Sequence, residues 1–176
     1  MTIMDLQRLL KTKLLWFSLI VLGFSLEGVA LYYQYVLQEL PCVVCIQFRL
    51  LVVGLIVLST IGLFLRNSKA GRWFVMLLLL LLFIGMIDRS YQLLGTERAF
   101  FIGSCEIGLG FPDWLAIDKW IPWLFGVKTT CGYTPMIAFG VTMAEALMVM
   151  SVLLTLMALF LLYVLSKKPR GLDFRR

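Results

Sequence analysis

Four long apolar runs constrain the fold of this chain more than any other feature. They lie at about 14–36, 46–65, 73–93 and 143–165. Each has roughly the 20 mostly apolar residues that a helix needs to cross a bilayer. Lipid offers no partner to backbone amides, so a single crossing segment must be helical. The sequence therefore predicts an all-α membrane protein, an up-down bundle of four transmembrane helices.

The composition agrees with this class. Hydrophobic residues make up 61% of the 176 residues, whereas soluble domains have about 45–50%. The sequence contains no internal repeat or low-complexity linker, and we expect one integral membrane domain over 1–176. The first run is too long for the apolar core of a signal peptide, about 7–15 residues, and we expect it to be retained.

Basic residues predict the orientation. Eleven of the 16 Lys and Arg residues fall in three segments that four crossings place on one side of the membrane: Arg8, Lys11 and Lys13; Arg66, Lys69 and Arg72; and Lys167, Lys168, Arg170, Arg175 and Arg176. This bias marks the cytoplasmic side. We therefore expect a multi-pass protein of a bacterial inner membrane with both termini cytoplasmic. The net charge of +6 then requires no nucleic acid partner.

The two segments on the opposite side, about 34–45 and 94–142, contain all four cysteines of the chain. The outer side of a bacterial inner membrane is oxidising, so disulfides form and persist there. The placement predicts that the cysteines work as thiols and disulfides outside the cytoplasm.

The long outer segment contains a candidate amphipathic helix over 111–122. Pro112 suits a helix start and Pro122 a helix stop. Trp114 and Ile117 recur at helical spacing, which is typical of a short helix lying flat in the membrane interface. A tryptophan-lined substrate pocket is the alternative interpretation.

The cysteine spacing predicts two pairs. Cys42 and Cys45 form a CxxC motif, and a disulfide in so tight a loop is strained and reducible. The remaining pair is Cys105–Cys131, which could also be an ordinary structural disulfide. A zinc site is the other alternative for a CxxC. The chain contains no histidine, and Cys105 and Cys131 lie too far apart for the usual zinc ligand spacing.

The residues around the CxxC motif break its symmetry. Pro41 favours extended backbone before it, and we expect the second helix to begin near Cys45. A helix N-terminus stabilises a thiolate, and Arg49 follows one turn later on the same face. Cys45 and Arg49 are expected at the depth of the lipid headgroups. An electron acceptor that reaches them there must be lipid-soluble, and a quinone has this property. The alternative for Arg49 is a side chain that extends to the interface from an apolar stem.

Two segments of the sequence together resemble one family. The CxxC-x3-Arg segment over 40–49 and the segment over 111–122 are similar to those of DsbB, the bacterial disulfide-bond formation membrane protein. Cys105 and Cys131 fall at that family's spacing. The resemblance covers nearly the whole chain.

The resemblance implies a quinone-dependent membrane thiol oxidase. A reduced periplasmic oxidase of the thioredoxin fold (DsbA type) would attack Cys105 of the Cys105–Cys131 disulfide. The reduced pair would pass its electrons to Cys42–Cys45, with Cys131 attacking Cys42. Cys45 would then donate to ubiquinone or menaquinone, with Arg49 polarising a carbonyl of the bound quinone.

Several other polar residues are candidates for a role in the site or in helix packing. Gln92 lies where certain relatives carry a histidine near the quinone, so the resemblance implies cofactor binding there. Glu27 is either part of a proton path or an interhelical hydrogen-bonding group, and Glu145 is read as the latter. Asp88 and Arg89 are read as an interfacial ion pair.

Three function classes follow from the sequence. The first is the quinone-linked dithiol oxidase, serving either a general partner or one dedicated partner. The second is an assembly protein with structural disulfides. The third is a small transporter, which the absence of proline within the four apolar runs disfavours.

Overall fold

The computed structural model describes residues 12–100, 120–129, 134–138 and 140–167. The elements, numbered in chain order, are α1 (Lys13–Tyr35), α2 (Val43–Leu65), α3 (Lys69–Glu97), α4 (Pro122–Phe125), β1 (Met136–Ala138), β2 (Val141–Thr142) and α5 (Met143–Ser166).

The four long helices α1, α2, α3 and α5 are long and apolar enough to cross a membrane. Their outer faces carry many exposed large hydrophobic side chains, including Phe24, Phe64 and Phe160, as expected of surfaces that contact lipid. The predicted four-helix membrane bundle is confirmed. The predicted membrane-parallel helix falls largely on residues 111–119, which lie outside the described residues.

Each helix start that matters for the site has a side-chain cap. Cys42 caps α2 by accepting a hydrogen bond from the Cys45 backbone N–H at 3.4 Å. Thr142 and Glu145 form a reciprocal capping box at the start of α5. Such caps satisfy backbone N–H groups that the first helical turn leaves free.

The long helices pack in chain order: α1 on α2, α2 on α3, and α3 on α5. One buried cluster runs through these interfaces and includes Trp16, Leu55, Leu79, Phe83 and Leu161. At the end opposite the CxxC motif, the Trp16 ring lies against the α2 backbone at Gly62. A Cβ atom at Gly62 would come within 2.0 Å of that ring, so only glycine permits this close packing.

Two of the long helices pack less closely than their neighbours. In the described part of the chain, α1 and α5 are not among the closely packed helix pairs. The gap between them is called the α1–α5 seam below. It begins at the end of the bundle that carries Cys42 and Cys45.

Polar contacts tie together the chain on either side of the long outer segment. Glu97 accepts hydrogen bonds from Thr134 Oγ1 at 2.6 Å and from Thr142 Oγ1 at 3.1 Å. Arg98 pairs with Glu145. These contacts fasten the end of α3 to the β1–β2 hairpin and to the start of α5.

Candidate redox site

Cys42 and Cys45 lie at the start of α2 with their sulfur atoms 2.7 Å apart. Both are free thiols in the structure. Cys42 is 2% exposed. A disulfide requires an S–S distance of about 2.05 Å, so a small movement suffices to join the two atoms.

The helix start differs from the prediction. We expected α2 to begin near Cys45 and its N-terminus to act on that thiolate. The helix begins at Val43, and the capping residue is Cys42. The helix thus begins two residues before the predicted position. The sulfur at its N-terminal cap is that of Cys42 and not that of Cys45.

The surroundings of Cys42 favour its thiolate. A hydrogen bond with the Cys45 thiol is the main cause, and backbone N–H groups at the helix start add to it. Together they outweigh burial, which disfavours the charged form, and lower the pKa of Cys42 to about 7. At neutral pH a substantial fraction of Cys42 is therefore thiolate, which is the reactive form of a cysteine.

Cys45 faces a cavity of about 200 Å³ in the α1–α5 seam. Its walls are mostly apolar and come from α1, α2, α5 and the hairpin strand β1. Val29, Leu40 and Ile137 line the cavity and are exposed at its rim. Cys42 is not one of the lining residues, so the two sulfurs of the motif have different surroundings.

Arg49 lies in the wall of this cavity and is only 4% exposed. Its Nε donates a hydrogen bond to Glu27 Oε1 at 2.9 Å. Its Nη1 donates to Gln34 Oε1 at 2.6 Å. The alternative of an Arg49 side chain that extends to the interface is therefore wrong: the guanidinium is buried and paired across α1 and α2.

The pairing leaves hydrogen-bonding capacity unused. Arg49 Nη2 lies 2.8 Å from Glu27 Oε1 but at an angle that makes no hydrogen bond. Glu27 Oε2 has no hydrogen-bond partner within the described part of the chain. Buried polar atoms normally have partners, and an exception in a cavity wall is typical of a ligand site.

A described part of the long outer segment packs onto this network. Phe125 of α4 is buried with Val43 and Ile46, and its ring centroid lies 6.0 Å from Arg49 Cζ. Gln34 Nε2 donates to the Trp123 carbonyl at 3.3 Å. The α4 segment thus contacts the same groups that hold the guanidinium.

The segment after α4 pairs directly with the CxxC motif. Thr129 forms an isolated parallel β-bridge with Cys42. The Lys128 N–H donates to the Pro41 carbonyl at 3.0 Å. Thr129 precedes Cys131 by two residues in the sequence, so this bridge joins the two cysteine-bearing segments.

The other predicted site residues are not among the described residues that line the cavity. Cys105 and Cys131 lie outside the described residues. Gln92 is half-buried on α3, where it donates to Asp88 at 3.0 Å and accepts from Arg89 at 3.2 Å. It is not one of the residues lining the cavity, so the structure does not bring it together with Arg49.

The remaining polar predictions concern ion pairs. Asp88 and Arg89 pair at 3.3 Å, as the sequence indicated. Glu145 makes an interhelical contact, with Arg98 as its partner. Glu27, for which a proton path and an interhelical hydrogen bond were both open, accepts a hydrogen bond from Arg49 across α1 and α2.

Sequence reasoning missed the pairing of Glu27, Gln34 and Arg49. A clue was available, because α1 and α2 are adjacent antiparallel helices joined by a short segment. Residues 27 and 49 lie at similar distances from that segment and therefore at similar depth. An acid and a base at equal depth in apolar surroundings are expected to pair.

The fold and the site define a class: a multi-pass membrane oxidoreductase with a dithiol at one end of a helical bundle, beside a cavity that opens laterally. Comparison with known proteins gives the family. The model of the family "Disulfide bond formation protein DsbB" matches residues 12–161. The chain belongs to the DsbB family.

Individual relatives agree. The chain is 33% identical to disulfide bond formation protein B of Psychromonas ingrahamii, over 92% of this chain and 86% of the relative. It is 30% identical to that of Haemophilus influenzae, over 94% of both. It is 31% identical to disulfide bond formation protein B 2 of Pseudomonas aeruginosa, over 77% and 81%. Its role is disulfide-bond formation.

Proposed function

We propose that this protein reoxidises a periplasmic DsbA-type thiol oxidase and passes the electrons to membrane quinone. Cys105–Cys131 receives them from the partner protein, and Cys42–Cys45 delivers them to ubiquinone or menaquinone. The observation that carries the proposal is Cys45, which faces an apolar cavity beside a buried arginine.

The cavity suits the ring of a quinone. A dry cavity of about 150 Å³ is enough to hold benzene, and this one has about 200 Å³. Ligand sites of this kind combine apolar walls with a few convergent polar groups. Here those groups are the Cys45 thiol, the Arg49 guanidinium and the Glu27 carboxylate.

The α1–α5 seam supplies the entry route. Exposed apolar residues at the cavity rim would contact lipid, so a quinone with an isoprenoid tail reaches Cys45 without crossing water. Arg49 would hold a quinone oxygen by a charge-assisted hydrogen bond. When bound, the quinone accepts two electrons and two protons.

The Thr129–Cys42 bridge supports exchange between the two cysteine pairs. Thiol–disulfide exchange requires one thiolate to attack a sulfur of the other pair directly. A backbone contact between the two segments raises the effective concentration of Cys131 near Cys42.

The quinone provides the driving force. DsbA-type oxidases have reduction potentials of about −120 mV, which makes them strong oxidants. A cysteine pair rarely exceeds that value, so a stronger acceptor must draw electrons through the chain. We therefore expect sustained turnover only when quinone is supplied.

The orientation is part of the proposal. The end of the bundle with Cys42 and Cys45 faces the periplasm, and both termini face the cytoplasm of a bacterial inner membrane. Protease digestion of sealed, oriented membranes tests this: cleavage in the C-terminal tail should require access from the cytoplasmic side.

The test of the function is turnover in nanodiscs. Purified protein receives a reduced DsbA-type oxidase, and ubiquinone-1 or a soluble menaquinone analogue is followed by absorbance. We expect quinol to form in step with partner oxidation. Cys45→Ser should stop both, whereas Cys→Ser changes in a purely structural disulfide would alter stability only. Equal rates for wild type and Cys45→Ser would overturn the proposal.

A further inference from the structure

Among the described residues that line the cavity, Glu27 is the acid that contacts Arg49, and the contact is made by one carboxylate oxygen. Oε1 faces the guanidinium at 2.8–2.9 Å. Oε2 is buried and has no hydrogen-bond partner among the described residues. A carboxylate oxygen in this position has lone pairs available for a proton.

The charge balance of the cavity depends on this pair. The Arg49 guanidinium and the Glu27 carboxyl group lie within hydrogen-bonding distance of each other in the cavity wall. Any negative charge that develops in the cavity competes with Glu27 for Arg49. Within low-dielectric surroundings such competition is strong, and uptake of a proton by Glu27 removes it.

We propose that Glu27 is the proton carrier of the quinone site, an inference that rests on the function proposed above. Oxidation of the Cys42 and Cys45 thiols to one S–S bond releases two electrons and two protons. A quinone takes up two of each. Glu27 Oε2 accepts the proton that Cys45 releases and donates it to one quinone oxygen, while Arg49, freed from the ion pair, faces the negative charge. The proton of Cys42 leaves to water at the outer end of the bundle, and the second quinone oxygen takes one proton from the same water, so one disulfide and one quinol result.

The other titratable groups are less suited to this role. Tyr33 and Glu39 line the cavity from the α1 side and the segment after it, and in the described part of the chain neither one hydrogen-bonds to Arg49. The α5 wall consists of Met143, Ala146, Leu147 and Met150, none of which titrates. Glu27 is therefore the acid placed to exchange protons beside the arginine.

The main test compares Glu27→Gln with Glu145→Gln. Both changes remove an acid from an Arg–Glu pair, and Glu145 lies outside the cavity lining. Glutamine also functions at the capping-box position of Glu145. Loss of a positioned proton carrier typically costs 10²–10⁴-fold, so we expect quinone reduction by Glu27→Gln to fall about 100-fold and its pH profile to flatten. Glu145→Gln should retain the wild-type profile.

Two further readouts separate proton transfer from structural support. Equilibrium affinity for ubiquinone-1 should change less than about threefold in Glu27→Gln, because Arg49 remains available. Time-resolved infrared spectra of reduced wild type mixed with quinone should show a transient protonated-carboxyl band. Glu27→Asp should shift that band, and Glu27→Gln should lack it.

The outcomes are distinct. If wild type forms no quinol, the proposed function itself fails. If wild type forms quinol but no carboxyl band appears, or if Glu27→Gln keeps the wild-type rate and pH profile, the proton-carrier role alone is overturned. Should Glu27→Gln fail to fold, the infrared band in wild type and its shift in Glu27→Asp decide the matter.

Discussion

Helix α5 has two very different neighbours. Against α3 it packs closely, and the buried Ser90 and Ser151 hydroxyls meet at 3.2 Å across an otherwise apolar contact. Each serine hydroxyl has one proton, which it can donate either to a backbone carbonyl of its own helix or to the other serine. Both hydroxyls therefore have partners within this interface. Towards α1 it leaves the seam, whose walls contain Cys45, Arg49 and the unpartnered Glu27 Oε2.

The difference suggests that the closely packed helix pairs provide stability, whereas the seam provides the proposed site. Closely packed helix pairs provide stability through dispersion and close fit. An open pair of helices with buried charge costs stability, because desolvation of ions is expensive. The closely packed interfaces offset this cost, and the seam is where the proposed redox site lies.

The largest expected effect comes from removing the sulfur that faces the seam. Cys45→Ala should lower quinone reduction by about 1,000-fold or more, since a nucleophile that forms or breaks a bond is rarely replaced. Thermal unfolding in detergent should stay close to that of wild type. Retained turnover in Cys45→Ala would show that electrons leave by another group.

A change in a closed interface should have the opposite pattern. Trp16 is fully buried against Gly62, and loss of a buried Trp typically costs 3–5 kcal/mol of unfolding free energy. Trp16→Ala should therefore lower stability by about 3–5 kcal/mol in a denaturation assay. The affinity of the folded fraction for quinone should not change. A parallel loss of affinity would show that packing at Trp16 and quinone binding in the seam are not independent.

Removing the positive charge of Arg49 should weaken quinone binding without slowing the reaction with the partner protein. Hydrogen bonds to charged groups contribute about 1.5–3 kcal/mol, which corresponds to roughly a 10- to 100-fold rise in Kd. We expect Arg49→Gln to raise the Kd for ubiquinone-1 by this amount. The rate at which a reduced DsbA-type partner reacts with the protein, measured by stopped flow without quinone, should change little.

The smallest effect concerns the acidity of Cys42. With Cys105 and Cys131 replaced by serine, Cys45→Ser leaves Cys42 as the single thiol and retains a hydroxyl that donates to it. Thiolate absorbance should then rise through about pH 7, with thiol below and thiolate above this value. Cys45→Ala lacks the donor, so its midpoint should move up towards the ordinary value of about 8.5. Identical midpoints would show that the hydrogen bond is not the cause.

Much of the fold was predictable, because apolar runs and basic segments are local properties of the sequence. The start of α2 was placed near Cys45 instead of Val43 because side-chain caps involving sulfur have no recognised sequence pattern. Periodicity could not show that α1 and α5 stand apart.

The site was only partly predictable for the same reason. Cys45 and Arg49 follow from spacing within one helix, whereas the Glu27–Arg49 pair joins two helices and depends on their relative rotation. The bridge between Cys42 and Thr129 connects residues that are far apart in sequence. The role of Gln92 in cofactor binding stays a prediction.

In the proposed reaction, electrons leave the protein from Cys45 to a quinone in the α1–α5 seam. A single-turnover experiment on the Cys105→Ser/Cys131→Ser variant tests it most directly. The Cys42–Cys45 pair is reduced, excess reductant is removed, and ubiquinone-1 is added. The account predicts about one quinol per protein molecule, since one dithiol supplies two electrons. Absence of quinol from a folded, reduced variant would contradict it.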